Sequence, residues 1–421
     1  MSSSNTANGS SSLKQQCRCL PLVIVEGFMG RTGTTFWGDF QKYLGWECNG
    51  CQRKVIFSST GPVSSLHDRA CELYYSLVGG IVDYGEEHSR IHCHARYGRT
   101  YTQGLYPNWS TDNPLHFLGH SVGGLTIVKL QYLLQNSHFG SGTHPDMIRS
   151  VNSISSPFRG TQAVYVLGER TDGAPLIRSF SWGSLLAKAV HLISFMSPLL
   201  PEVFDLHTEA RLMSYHDISF VSLLKQLWKS DWAESRDATP FDVTFESAEE
   251  RESTSEGVVN PRTFYRSCTA YVTEMDGESN TYKLPTFLLL LTPLFLMAQA
   301  MSSFDFSSLK PIPSFLQSLL RTSGDIEHGF SSSEAGVSDS SARANDGVVP
   351  VFSQWHPRSC SMTECRHHKG KSPPVPGAWY VEEISHTHHL SLVPLWISSS
   401  RQRRYWIELG RWLREVELQC I

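Results

Sequence analysis

Residues 114–134 constrain the fold more than any other stretch of the chain. They contain GHSVG at positions 119–123, a G-x-S-x-G motif centred on Ser121. The preceding PLHFL has the composition of a buried strand, and LTIVKLQYLL after the motif has the spacing of a helix with one apolar stripe. A tight strand-to-helix turn needs small residues two positions either side of the serine, because side chains do not fit there. The pattern therefore predicts a nucleophilic serine, with a glycine-rich turn or a phosphate-binding loop as the alternative.

Other segments repeat this alternation of strand and helix. Apolar or β-rich runs predict strands, and they lie at residues 20–25, 54–58, 147–154, 264–272 and 379–384. Amphipathic spacing predicts helices near residues 70–78 and 402–418. Strands that alternate with helices favour an α/β fold, with a mostly parallel central sheet and helices on both faces.

Composition narrows the class of protein. The chain has 421 residues, of which 40% are hydrophobic and 11% aromatic, so it can build a large core. Its formal charge of −4 gives no electrostatic reason to expect a nucleic-acid partner. Residues 1–19 are polar and serine-rich, which predicts a disordered tail. They lack the apolar run of a secretory signal, so we expect an intracellular enzyme, in the cytoplasm or at a lipid surface.

Three later regions interrupt the alternation. Residues 161–230 contain apolar helical stretches that belong either to the core or to a mobile lid over an apolar cleft. The apolar run at 287–297 is short and contains Pro293, so a buried helix or a pocket wall is favoured over a membrane span. Residues 302–344 are serine-rich and predict a loop with weak structure.

A serine hydroxyl needs a histidine base and an orienting carboxylate before it can attack an ester. Asp346, in Asn-Asp-Gly beside an apolar run, is the best acid candidate, although such an aspartate also forms ordinary turns. His386, His388 and His389 follow the predicted strand 379–384, and spacing alone does not choose among them. Attack by the serine creates a negatively charged oxygen, the oxyanion, which backbone amides can stabilise. We expect these amides to be those of Val122, after the nucleophile, and Phe28, in the turn after the first strand.

Cysteines and histidines raise the question of metal binding. Ten cysteines in a chain of this length do not imply a disulfide framework, and reduced thiols are the favoured interpretation. Two pairs leave a second zinc site or a redox pair open: Cys48 with Cys51, and Cys360 with Cys365, which His367 and His368 follow. Separately, His88, His92 and His94 cluster in a polar loop, which suits either a metal site or solvated side chains.

Local signatures beyond the serine motif resemble one known family. They are GPVSS at 61–65, DRACE at 68–72, VDYG at 82–85 and HARYGRTY at 94–101. Together with HSVGG at 120–124, they resemble the zinc-containing lipases of thermophilic bacilli and staphylococci and their eukaryotic relatives. The resemblance runs from about residue 22 to the C-terminus and implies an α/β-hydrolase fold over residues 20–421. It also implies a zinc-bearing insertion at about 62–100 and 230–250, with a lid at about 161–230.

The resemblance assigns site residues as well. The family's zinc ligands fall on Asp68, His88, His94 and Asp237, a closed four-ligand set that suits a structural zinc. The resemblance supports Asp346 as the acid and favours His389 as the base, because His389 directly precedes a leucine.

Two positions depart from the family pattern. Glu26-Gly27 replaces the usual His-Gly before the oxyanion loop. Ser391 stands where an acidic calcium ligand would be, so no calcium is predicted.

The leading functional hypothesis is a lipase or carboxylesterase that hydrolyses fatty-acyl esters through Ser121, His389 and Asp346. An acyltransferase or phospholipase with the same three residues is the close alternative. A catalytically silent, zinc-stabilised module that binds membrane surfaces is the third. The expected partner is a lipid ester, and the oligomeric state stays open.

Overall fold

A computed structural model of the chain describes residues 19–30, 37–45, 53–276, 281–283, 292–320, 339–367, 373–393 and 399–419. The predicted tail, apart from its last residue, lies outside the described residues. So do Cys48, Cys51, His368 and the first part of the apolar run at 287–297.

Eleven strands are described. They are β1 (Leu22–Val25), β2 (Val55–Phe57), β3 (Gly80–Asp83), β4 (Tyr97–Tyr101), β5 (Leu115–His120), β6 (Ile148–Ile154), β7 (Phe264–Tyr271), β8 (Glu274–Asp276), β9 (Thr281–Lys283), β10 (Cys365–His367) and β11 (Trp379–Ser385).

The described α-helices lie between and after these strands. They are α1 (Gln41–Leu44), α2 (Leu66–Val78), α3 (Glu86–His92), α4 (Val122–Gln135), α5 (Ala163–Leu167), α6 (Trp182–Met196), α7 (Phe220–Trp228), α8 (Thr239–Asp242), α9 (Phe245–Ser253), α10 (Thr292–Ser302), α11 (Asp339–Arg343), α12 (Val351–Trp355) and α13 (Ser400–Leu418).

Seven strands form the central sheet in the order β10-β11-β7-β6-β5-β1-β2, and every pairing between them is parallel. The prediction of a mostly parallel sheet is therefore confirmed. Two antiparallel hairpins, β3-β4 and β8-β9, lie outside it. Parallel strands are covered on both faces, which explains why β1 is a continuous apolar run rather than an alternating one.

The sheet separates two apolar clusters. Val23 and Val25 of β1 pack with α2 and α4 on one face. Leu22 and Ile24, which point the other way, pack with α1 and α13 on the opposite face. Helices therefore cover both faces, as the sequence predicts.

The serine-rich region 302–344 differs in part from the expected loop with weak structure. Its first part forms short 3-10 turns, at Phe306–Ser308 and Ser314–Leu320. Phe306, Leu309 and Leu316 are buried there, against Phe245 and Phe352. These apolar residues allow the segment to pack against the core. The high serine content of the segment made this packing difficult to predict from the sequence. Of the helices described, none combines the length and apolarity that crossing a bilayer requires.

Candidate active site and metal site

Ser121 lies at the carboxyl end of β5, between the strand and helix α4. Its backbone has φ 54° and ψ −129°, and its amide donates to the carbonyl of Ile154 at 2.9 Å. Positive φ is unusual for a residue with a side chain and marks local strain that the surrounding structure maintains. The side chain is only 7% exposed. This geometry is that of the predicted strained turn.

The glycines of the motif are required by close packing. A Cβ atom on Gly119 would overlap the backbone of Gly124, and one on Gly123 would overlap the carbonyl oxygen of Val25. Neither glycine has positive φ, so the constraint is space rather than backbone conformation. Because Gly123 has no side chain, the first turn of α4 can pack directly against the carboxyl end of β1.

Asp346 and His389 form the candidate acid–base pair. His389 Nδ1 lies 2.9 Å from Asp346 Oδ2, and the His389 amide donates to the Asp346 carbonyl at 2.9 Å. The other carboxylate oxygen accepts from the amides of Val348 and Val349. Asp346 is fully buried. A carboxylate fixed in this way holds the imidazole with its proton on Nδ1 and leaves Nε2 as the basic nitrogen.

The structure distinguishes the three candidate histidines. His389 is hydrogen-bonded to Asp346, whereas His388 Nδ1 accepts from the amide of Leu390 at 3.2 Å. His120, next to the serine, places its Nε2 3.0 Å from the carbonyl of His389. Burial lowers the pKa of His120 to about 3, so it stays neutral. The contact joins the loop of His389 to the turn of Ser121.

Two amides predicted for the oxyanion lie beside the serine. A Cβ atom on Gly27 would fall 2.7 Å from Ser121 Cβ, so the loop that carries Phe28 presses against the serine. Within the described residues, no protein acceptor is recorded for the amides of Phe28 and Val122. Met29, by contrast, donates to the carbonyl of Pro62 at 2.9 Å. Two amides near a serine, neither paired with an acceptor in the described part of the chain, suit the stabilisation of a developing oxyanion.

Arg69 supports this loop, and sequence reasoning gave it no role. Its fully buried guanidinium donates to the carbonyls of Glu26 and Gly61 and to Thr126 Oγ1 in α4, at 2.5–3.0 Å. It thereby ties the oxyanion loop to the helix that begins at the nucleophile. The available signal was position, because Arg69 lies four residues before Leu73 and eight before Leu77, on the buried stripe of α2, and a buried arginine requires partners.

The predicted lid region packs onto the same loop. Ala187 and Val190 of α6 belong to a buried cluster with Val63 and Trp232, and Phe28 packs against that cluster. The inner side of α6 therefore belongs to the same buried cluster that Phe28 packs against.

All four predicted metal ligands come together away from the serine. His88 Nε2 lies 3.3 Å from Asp68 Oδ1 and 3.2 Å from Asp237 Oδ1. His94 Nε2 lies 3.5 Å from Asp237 Oδ2 and 3.9 Å from Asp68 Oδ1. With zinc–nitrogen and zinc–oxygen bonds of about 2.0–2.2 Å, the ligand atoms around a tetrahedral zinc are about 3.4 Å apart. Asp68 is in α2, His88 in α3 rather than in the polar loop expected, and Asp237 precedes α8.

Electrostatics at this cluster favour a bound cation. Asp68 Oδ1, His88 Nε2 and His94 Nε2 are buried, and within the described residues none has a hydrogen bond of regular geometry. Burial, followed by the charge of Asp237, raises the pKa of Asp68. The Nδ1 atom of His94 lies 2.8 Å from the carbonyl of Ala95, so Nδ1 carries the proton and Nε2 offers a lone pair. These residues fit a divalent metal.

Known proteins resemble the chain in both sequence and fold. The family described as "Lipase-like, C-terminal domain" matches residues 19–303. A lipase of Staphylococcus hyicus is 30% identical over 275 residues, which are 60% of this chain and 40% of that protein. Lipase 1 of Staphylococcus aureus is 28% identical over 288 residues, 62% of this chain and again 40% of the relative. The chain thus spans less than half the length of these relatives.

Solved structures support the fold. The S. hyicus lipase superposes with a TM-score of 0.70 at 22% identity, covering 95% of this chain and 96% of that one. EstA from Clostridium botulinum gives a TM-score of 0.65 at 24% identity, covering 94% and 88%. The expected α/β-hydrolase fold is thereby confirmed. The chain belongs to the lipase-like C-terminal domain family, the family of the staphylococcal-type lipases.

Proposed function

We propose that the chain is a serine carboxylic-ester hydrolase that acts on fatty-acyl esters of the triacylglycerol type. One observation carries the proposal: a serine on a strained turn, beside the amides of Phe28 and Val122, with a buried Asp346–His389 pair joined to the same turn through His120. The staphylococcal relatives, which are named lipases, support the same chemical class.

In the proposed reaction, Ser121 Oγ attacks the ester carbonyl while His389 Nε2 takes the hydroxyl proton. Asp346 holds the imidazole and stabilises the imidazolium that forms. The amides of Phe28 and Val122 bind the oxyanion of the tetrahedral intermediate. His389 then gives its proton to the leaving alcohol, and an acyl-enzyme remains. Water, deprotonated by His389, attacks that ester and releases the fatty acid and the free serine.

Zinc belongs to the proposal as a structural ion. Asp68, His88, His94 and Asp237 would hold it, and four protein ligands leave no position for a substrate or an activated water. The ligands come from α2, α3, the turn before β4, and the segment before α8. The bound ion would neutralise two buried carboxylates and fasten the insertions to the core.

We propose that the lid region moves to give a substrate access to Ser121, which is 7% exposed. The same region carries exposed apolar side chains that water does not favour. Fourteen of the 24 large apolar side chains exposed in the described residues lie between 176 and 228, and Phe180 and Trp228 are 95% and 93% exposed. Such a concentration of exposed apolar side chains is typical of a region that binds a lipid surface. We propose that a lipid surface binds this region and exposes the serine.

The test is hydrolysis of p-nitrophenyl esters of increasing chain length by the wild type and by Ser121→Ala. We expect the variant to lose the activity and labelling by a fluorophosphonate. Ser137→Ala is the matched control, because Ser137 has φ 54° but lies exposed at the end of α4. Full activity in Ser121→Ala would refute the proposal. Free fatty acid rather than a transacylated product would separate the hydrolase from the acyltransferase alternative.

A further inference from the structure

A second cluster of metal-binding side chains lies at the far edge of the central sheet. It comprises His356, Cys360, Cys365 and His367, whose ligand atoms all lie within 4.8 Å of one another. His356 directly follows α12, while Cys365 and His367 belong to the edge strand β10. The cluster shares no residue with the Asp68 site or with the serine site.

Distances within the cluster match tetrahedral coordination. Cys360 Sγ lies 3.4 Å from His356 Nε2 and 3.7 Å from His367 Nε2. With zinc–sulfur bonds of about 2.3 Å and zinc–nitrogen bonds of about 2.0–2.1 Å, the sulfur–nitrogen edge of a tetrahedron is about 3.6 Å. Two thiolates and two imidazoles are also a donor set that favours zinc over magnesium or calcium.

The surrounding structure already orients the first ligand. His356 is buried, and its Nδ1 lies 2.6 Å from the carbonyl of Arg358. A carbonyl only accepts, so Nδ1 carries the proton and the lone pair of Nε2 faces the cluster.

The segment between His356 and Cys360 is itself held in place. Arg358 donates to the carbonyl of Thr254 at 2.7 Å. The amide of Ser359 donates to Glu252 Oε1 at 2.8 Å. The loop therefore presents its ligands from a fixed position rather than from a free surface turn.

We propose that His356, Cys360, Cys365 and His367 bind a second, structural Zn²⁺. Four protein ligands close the coordination sphere, so the ion has no catalytic position. It would fasten the carboxyl end of α12 to β10, a strand of three residues that pairs on one side with β11. A short edge strand makes few hydrogen bonds, and a bound metal ion would compensate for this small number.

Cobalt substitution separates the two sites, because only the second contains sulfur. We expect the full chain, loaded with Co²⁺ in place of Zn²⁺, to show a thiolate-to-cobalt charge-transfer band. Cys360→Ser/Cys365→Ser should lose that band, and after loading with Zn²⁺ it should hold one zinc fewer per chain than the wild type. Metal content and absorbance are read without any substrate, so the result does not depend on the proposed hydrolysis.

Cys71→Ala is the matched control. Cys71 Sγ lies 3.7 Å from His138 Nε2, and with His67 these residues form the other thiol–imidazole group among the described residues. The band should persist in this variant. A band that survives in the double variant, a wild type that shows none, or a Cys360–Cys365 disulfide found by mass spectrometry would each overturn the proposal.

Discussion

His389 and Asp346 are joined twice, once through their side chains and once through their backbones, at 2.9 Å in each case. The backbone contact fixes the separation of the two loops, and the side-chain contact fixes the tilt of the imidazole. The pair is assembled by the fold, because 43 residues separate the two in sequence. In the proposed mechanism, the lone pair of His389 Nε2 is therefore oriented before a substrate arrives, which lowers the cost of reaching the transition state.

Asp346→Asn should preserve the shape of the loop but present a wrong hydrogen-bond partner to His389. We expect kcat for a soluble ester to fall by a factor on the order of 10⁴, because the imidazole loses its orienting charge. Steady-state kinetics measure this loss. Asp172→Asn, at an exposed aspartate paired with Arg170, serves as the control and should keep wild-type kcat. Comparable kcat in Asp346→Asn and wild type would remove Asp346 from the mechanism.

Gly123→Ala should destabilise the whole domain. The added Cβ would overlap the carbonyl oxygen of Val25, so β1 and α4 must separate. Overpacking of this kind costs about 1–3 kcal/mol, and thermal denaturation should show a lower Tm. Gly142→Ala is the matched control, because a Cβ there meets no atom within 4 Å. Equal Tm values for the two variants would contradict the packing argument.

His94→Ala should reduce bound zinc at the Asp68 site and lower Tm. The change removes one ligand and leaves two buried carboxylates facing each other without full neutralisation. Zinc content and thermal denaturation, with and without a chelator, measure the effect. His92→Ala provides the control, because His92 lies beside His88 but outside the ligand group. Zinc retention by His94→Ala to the extent seen in His92→Ala would argue against this ligand set.

Glu169 should make stability depend on pH near neutrality. Burial raises the pKa of Glu169 from 4.5 to about 7. The contribution of this carboxyl group to the free energy of unfolding is therefore most favourable below about pH 4.5 and declines as the pH rises to about 7. Glu169→Gln, which keeps an acceptor for the amide of Leu176, should therefore be more stable than wild type at about pH 8, by about 3 kcal/mol at most.

Urea denaturation at about pH 5 and about pH 8 tests this expectation. The stability difference between Glu169→Gln and wild type should be smaller at the lower pH. Glu202→Gln, at an exposed glutamate, should show no such trend. A difference that is constant across this range would show that Glu169 does not titrate as expected.

The exposed aromatic residues of the lid region should govern binding to lipid. Phe180→Ser and Trp228→Ser each remove a nearly fully exposed apolar side chain, so their cost to stability should be small. We expect weaker sedimentation with phosphatidylcholine vesicles and slower hydrolysis of an emulsion, with little change on a soluble ester. Tyr97→Ser, an exposed aromatic outside the lid, is the control. Unchanged vesicle binding in both lid variants would exclude this surface.

Part of the architecture could be predicted because its physical signal is local. Strand β1 is apolar throughout, since both faces of the sheet are covered, and G-x-S-x-G indicates a turn whose steric demands involve adjacent residues. The serine-rich region shows the limit of such local signals. Its buried Phe306 and Leu316 become core residues only because Phe245 and Phe352 lie opposite.

The sequence by itself determined six of the seven strands of the central sheet and the position of Ser121, because neighbouring residues set both. Only the tertiary structure placed His389, which the family resemblance favoured over His386 and His388, in hydrogen-bond contact with Asp346. It likewise revealed the support that Arg69 gives to the oxyanion loop and brought His356 and Cys360 to the edge strand that carries Cys365 and His367. Each of these depends on contacts between residues distant in the chain, and their distances follow from how the sheet and its helices pack.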